Sequence, residues 1–130
     1  MNANVFFGFA LADSMFNGDV VISRHVLSEN QVAMKVAQGV TSCCNPSHYA
    51  TITAMREKYG FEVEIPDTPP RVSLREGDSV IVMGVRGLPR LTDRHEYTHE
   101  EIASATFQFS MYKVERVLAP CGSETKLSVM

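Results

Sequence analysis

Glu76-Gly77-Asp78-Ser79-Val80-Ile81-Val82-Met83-Gly84-Val85 is a turn followed by an almost unbroken apolar run, and its reading decides the fold. Glycine and aspartate favour turns, and a valine- and isoleucine-rich run marks a strand covered on both faces. The pattern predicts a central strand over 79–85. Upstream, Phe61-Glu62-Val63-Glu64-Ile65 alternates apolar and charged residues, the period of a half-exposed strand, and Pro66-Asp67-Thr68-Pro69-Pro70 breaks it. Downstream, Thr98 and Glu101 form a capping box that opens a short helix through about Ser104. Phe107 to Val114 reads as a last long strand.

Working toward the N-terminus, Val5 to Leu11 is a second apolar run, most simply a buried strand with its phenylalanines in the core, and Val20-Val21-Ile22 is a further short strand. Ser28 and Gln31 make another capping box ahead of a short helix that Gly39 can close. The next helix is expected from Pro46 to Tyr59, with His48, Ile52, Met55 and Tyr59 on one face and Gly60 as its stop. Strands and helices do not alternate strictly. The order therefore predicts an α/β chain of the α+β kind: one domain over 1–118, a mixed β-sheet flanked by short helices, and a flexible tail over 119–130.

The chain has 130 residues, 45% hydrophobic and 21% charged, enough for one real core and too apolar for disorder. Its net charge of −3 argues against a long nucleic acid as partner, which needs a basic face. A small anionic ligand held by a few arginines remains open. No run approaches the roughly 20 apolar residues that span a bilayer, so no membrane association is expected. The start, Met1-Asn2-Ala3-Asn4-Val5, lacks the basic and apolar regions of a secretory leader. Three cysteines, two of them adjacent (Cys43, Cys44), make a poor disulfide framework, and reduced thiols in a cytoplasm are expected. No Cys-x-x-Cys pair marks a structural zinc knuckle.

The chemistry concentrates in Asn45-Pro46-Ser47-His48-Tyr49-Ala50-Thr51. Asn45 suits a helix N-cap and Pro46 the next position, because the first helical N–H needs no partner. His48 then falls near the third helical residue, beside free N–H groups and the positive end of the helix dipole. Such a place holds an anion, and an imidazole there can deliver a proton, so the pattern points to phosphate-ester chemistry. Asn45, Ser47 and Thr51 are candidate phosphate or ribose contacts. The competing reading of His48 is a helix-start histidine that caps, packs or faces water. Arg86-Gly87-Leu88-Pro89-Arg90 follows the central strand, where ligands tend to sit, so Arg86 and Arg90 are candidate phosphate contacts; otherwise they are two solvated arginines on a turn.

His95-Glu96-Tyr97-Thr98-His99 is a literal zinc-hydrolase signature. That chemistry needs both histidines one turn apart in a helix and a third ligand beyond. Thr98 reads as an N-cap, so the motif would straddle a loop and a helix start, and a zinc hydrolase is the third-ranked reading. No metal or other cofactor is expected.

The order of short motifs resembles the small viral and plasmid-borne ring nucleases first described from an archaeal turreted icosahedral virus, some of which act as anti-CRISPR proteins against type III systems. The resemblance covers about residues 4–117 and rests on Phe9-Ala10-Leu11, on Val40-Thr41-Ser42 leading to Ser47-His48-Tyr49-Ala50-Thr51, and on a helix ending at Tyr59-Gly60. It continues through the Gly77-Asp78 turn and its strand, Gly87-Leu88-Pro89-Arg90, the acidic helix start Glu100-Glu101-Ile102, and Phe107-Gln108-Phe109. The resemblance implies a homodimer in the cytoplasm of a host cell, binding cyclic tetra-adenylate, a cyclic oligoadenylate, across its two-fold axis. It implies metal-independent cleavage in which a ribose 2′-hydroxyl attacks the adjacent phosphate and His48, as general acid, protonates the departing 5′-oxygen. A related cyclic nucleotide, or a non-catalytic nucleotide sponge or viral regulatory module, is the alternative.

Overall fold

A computed structural model describes residues 3–92 and 96–119. Five strands form one mixed sheet: β1 (Val5–Gly8), β2 (Asp19–Leu27), β3 (Thr41–Ser42), β4 (Ser79–Arg86) and β5 (Thr106–Ala119). Their spatial order is β2-β5-β4-β1-β3, so β4 is central, as its composition predicts. β1 runs parallel to β3 and β4, with Phe7 opposite both Ser42 and Ile81, while β5 lies antiparallel between β4 and β2. Three helices complete an α+β fold: α1 (Glu29–Gln38), α2 (Tyr49–Tyr59) and α3 (His99–Ser104).

The two faces of the sheet are packed differently, and the period-two alternation of β4 shows why. Ile81 and Met83 point to the helix side, where Val32 of α1, Ile52 and Met55 of α2 and Ile102 of α3 meet Phe7, Phe107 and Phe109. Val80 and Val114 point the other way, under a lid made by Met15, Val72 and Leu74. Aromatic rings fill the helix-side core, with Tyr59 stacked on Phe61 at 5.2 Å and both set edge-on to Phe109 at 5.7 Å.

The turn that opens β4 locks these layers together. Gly77 has φ +92°, a left-handed conformation that its missing Cβ allows. Asp78 is buried, and its carboxylate accepts the backbone N–H of Asn4 at the start of β1 and that of Arg75 across the turn, both at 2.9 Å.

Both capping boxes form as expected, Ser28 with Gln31 on α1 and Thr98 with Glu101 on α3. The strand expected over Val5 to Leu11 ends at Gly8, and three further expectations are corrected. The predicted strand over 61–65 keeps its alternation, with Phe61 and Val63 buried and Glu62 and Glu64 exposed, yet it is an extended segment outside the sheet. Its neighbour β3 is only two residues long, and the Ser42 hydroxyl donating to the Glu64 carbonyl links the two. Second, β2 runs well past Ile22, to Leu27. Third, the helix expected from Pro46 starts at Tyr49, after a separate 3-10 turn over Pro46–His48. Residue 119 ends β5; the rest of the expected tail lies outside the described residues. Among the described residues no helix is long and apolar enough to cross a membrane.

Candidate functional site

The carboxyl ends of the parallel strands β1 and β3 carry the candidate site, the place where open sheets with helical crossovers usually hold ligands. β1 leads directly into Phe9. β3 leads into Cys43, whose N–H donates to the Phe7 carbonyl at 2.9 Å and so extends the pairing of the two strands. Asn45 then turns the chain: its side-chain oxygen accepts the Ser47 N–H, and its carbonyl accepts the His48 N–H, each at 2.9 Å. These bonds close the 3-10 turn, with Pro46 in its first position as its fixed φ favours. His48 adopts φ −105° and ψ 23° and occupies the cap position of α2 rather than its third residue. Its side chain makes no capping bond, which leaves the imidazole exposed at the helix entrance.

That imidazole lies against the ring of Phe9, with centroids 4.4 Å apart and planes inclined by 40°. Both rings line a cleft of about 440 Å³ whose walls are the segment after β1 (Phe9, Ala10, Ala12, Ser14, Met15), Cys43, Asn45 and His48 beyond β3, and the loop Pro69-Pro70-Arg71-Val72. Arg71 is exposed and lines the same cleft from that loop. An exposed cation, an imidazole and a side-chain amide around a pocket of this size suit a phosphate with one nucleoside attached.

Cys43 also faces this cleft, while Cys44 is buried. Both sulfurs lie near the Phe7 carbonyl, at 3.4 and 3.6 Å. Burial raises both thiol pKa values; the neighbouring Cys44 raises that of Cys43 further. The two are thus neutral thiols at neutral pH, hydrogen-bonding groups rather than nucleophiles.

Of the residues singled out by sequence, Asn45 and His48 share this cleft. Ser47 is exposed on the 3-10 turn, and Thr51 is half-buried one turn into α2; neither lines it. Arg86 ends β4 and lines a separate cleft of about 350 Å³ with Gly84, Val85, Thr106 and Gln108. Arg90 is exposed in the following loop and lines neither. Arg71 and Phe9 are the residues that sequence reasoning missed. Phe9 is indistinguishable in sequence from the core phenylalanines beside it. The signal for Arg71 was a lone cation directly after a double proline.

In the His-Glu-x-x-His stretch, Thr98 caps α3 and His99 opens it, so the motif straddles a loop and a helix start; His95 lies outside the described residues. His99 Nδ1 is hydrogen-bonded to Glu57 of α2, which together with the carboxylate's charge raises the imidazole's pKa above its ordinary 6.5.

The fold is shared with a viral protein of known structure. B116 of Sulfolobus turreted icosahedral virus superposes with a TM-score of 0.63 at 17% identity, over 85% of this chain and 99% of that one. At that identity the likeness is one of fold. No family model matches the chain, and no curated protein matches it by sequence.

Proposed function

We propose that this chain binds a cyclic oligoadenylate and cleaves it without a metal, as a ring nuclease that blunts a nucleotide-signalled antiviral defence in the host cytoplasm. The observation that carries the proposal is that His48 lines the cleft at the ends of β1 and β3 together with Asn45 and with Arg71 of the 69–72 loop. A ribose 2′-oxygen attacks the adjacent phosphorus and its proton passes to solvent. The bond from phosphorus to the 5′-oxygen breaks, and protonated His48 gives its proton to that oxygen. The product carries a 2′,3′-cyclic phosphate. Arg71 supplies positive charge where the phosphorane gathers negative charge, and Asn45 offers an amide to phosphate or ribose.

A cleft of about 440 Å³ takes one nucleotide unit of such a ring. The proposal therefore seats the rest of the ring across a homodimer, where Arg86 and Arg90 contact the ligand from outside the cleft. Binding without cleavage is the second reading. It is favoured by the separation of Arg86 from the His48 cleft within one chain.

Incubating the protein with cyclic tri-, tetra- or hexa-adenylate in excess chelator, and reading binding and products separately, distinguishes these readings. Linear products from the tetra-adenylate ring in the presence of chelator are expected. Binding without products supports the second reading. Activity that vanishes with chelator and returns with zinc supports the zinc hydrolase, and no binding of any ring removes both nucleotide readings.

A further inference from the structure

A histidine that transfers a proton must hold its ring in one orientation while leaving a nitrogen free for the substrate. Enzymes commonly fix the ring with a hydrogen bond to its second nitrogen. His48 has no such bond among the described residues: neither ring nitrogen has a protein partner, and the side chain stands exposed at the helix entrance. An exposed imidazole without a partner samples several rotamers.

Among the described residues its one ring contact is Phe9, at 4.4 Å between centroids. Phe9 is well placed to act as a fixed surface. It follows Gly8, which pairs with Val82 in the sheet, and its ring is half-buried against the helix-side core. The backbone of His48 is fixed by the 3-10 turn that Asn45 closes. The pairing of β1 with β3, continued by the bond from Cys43 to Phe7, brings the two rings together from neighbouring strand ends. The contact thus follows from the pairing of the two strands and the turn after β3.

The geometry points to Phe9 as the positioning residue of His48: its ring holds the imidazole through a tilted ring-to-ring contact, and leaves both imidazole nitrogens free for proton transfer. The consequence for catalysis rests on the ring-nuclease reading; the ring contact itself does not. A positioning role predicts a loss in turnover with little change in substrate binding, because a misdirected acid still leaves the phosphate contacts intact.

The test joins spectroscopy of the ligand-free protein with kinetics. In the wild-type protein, nuclear Overhauser contacts between the Phe9 and His48 ring protons and an upfield ring-current shift of the His48 protons are expected. Phe9→Leu should abolish the shift, and Phe9→Tyr should retain it. With cyclic tetra-adenylate, Phe9→Leu should lower kcat about tenfold at unchanged KM, and Phe9→Tyr should restore it. A wild-type spectrum without the ring-to-ring contact overturns the proposal, even if Phe9→Leu fails to fold. So does a folded Phe9→Leu protein whose KM rises at unchanged kcat, since Phe9 would then be a ligand contact. If the wild-type protein cleaves no ring, the ring-nuclease reading fails, while the spectra still decide whether Phe9 holds His48.

Discussion

Asp78 shows how much structure one side chain can organise. Its two carboxylate oxygens take backbone N–H groups from Asn4 and Arg75, while its carbonyl accepts the Val114 N–H at 2.9 Å. The start of β1, the turn into β4 and the middle of β5 thus meet at one buried residue. Asp78→Ala removes both side-chain acceptors and strands two N–H donors. A loss of about 2–4 kcal/mol is expected, since each of these part-buried donors falls toward the lower end of the about 1–3 kcal/mol that a fully buried unsatisfied one costs. A lower urea midpoint at unchanged slope would show it, and a change within 0.5 kcal/mol or so would contradict the role assigned. The turn itself was legible, because Gly-Asp before an apolar run has few other readings. The acceptor role was not, because Asn4 is 74 positions away in the chain. At the site, Asn45 as a cap was legible for the same local reason. Phe9 was not, since its use depends on a ring that β3 delivers.

At the level of elements, the helices were read from their ends and the strands from their burial. Ser28 with Gln31, Thr98 with Glu101, and Gly60 in the left-handed conformation at the end of α2 are local signals, and each fixed a boundary. The second half of β2 escaped because it is an edge strand: Ser23 bonds to Glu115 and Arg24 to Tyr112 across its one partner, so it needs no apolar pattern over 23–25. The 61–65 segment misled for the opposite reason. It has the burial of a strand and no partner long enough to make it one.

The clasp between α2 and α3 gives a prediction at this scale. Lys58 Nζ donates to the Ala103 carbonyl at 2.9 Å, at the negative end of α3, and Glu57 holds His99 at its start. The raised pKa of His99 means that the folded state favours its protonated form. Its stabilising contribution is fully present below the ordinary 6.5 and disappears as pH rises through the raised value. Solvent exposure keeps the effect small. Glu57→Gln should therefore lower the melting temperature slightly at about pH 5.5 and leave it unchanged at about pH 9. An equal shift at both values would show that the pair contributes nothing through charge.

On the scale of the whole molecule, the sheet order places β1 between two parallel neighbours, and the chain leaves β1 and β3 at the same end. Phe9, Asn45 and His48 are gathered there by topology, with Arg71 arriving on the loop that also covers the second face. Sequence order predicts the mixed sheet and its central strand. It cannot show that Arg86 faces a different cleft from His48, because that depends on which end and face of β4 each loop meets. The central claim is that His48 donates the proton and leaves binding to its neighbours. Single-turnover cleavage and equilibrium binding of cyclic tetra-adenylate by wild type and His48→Ala test it most directly. Near-equal affinity and a cleavage rate reduced by about 100-fold or more are expected. Cleavage at the wild-type rate by His48→Ala would contradict that claim.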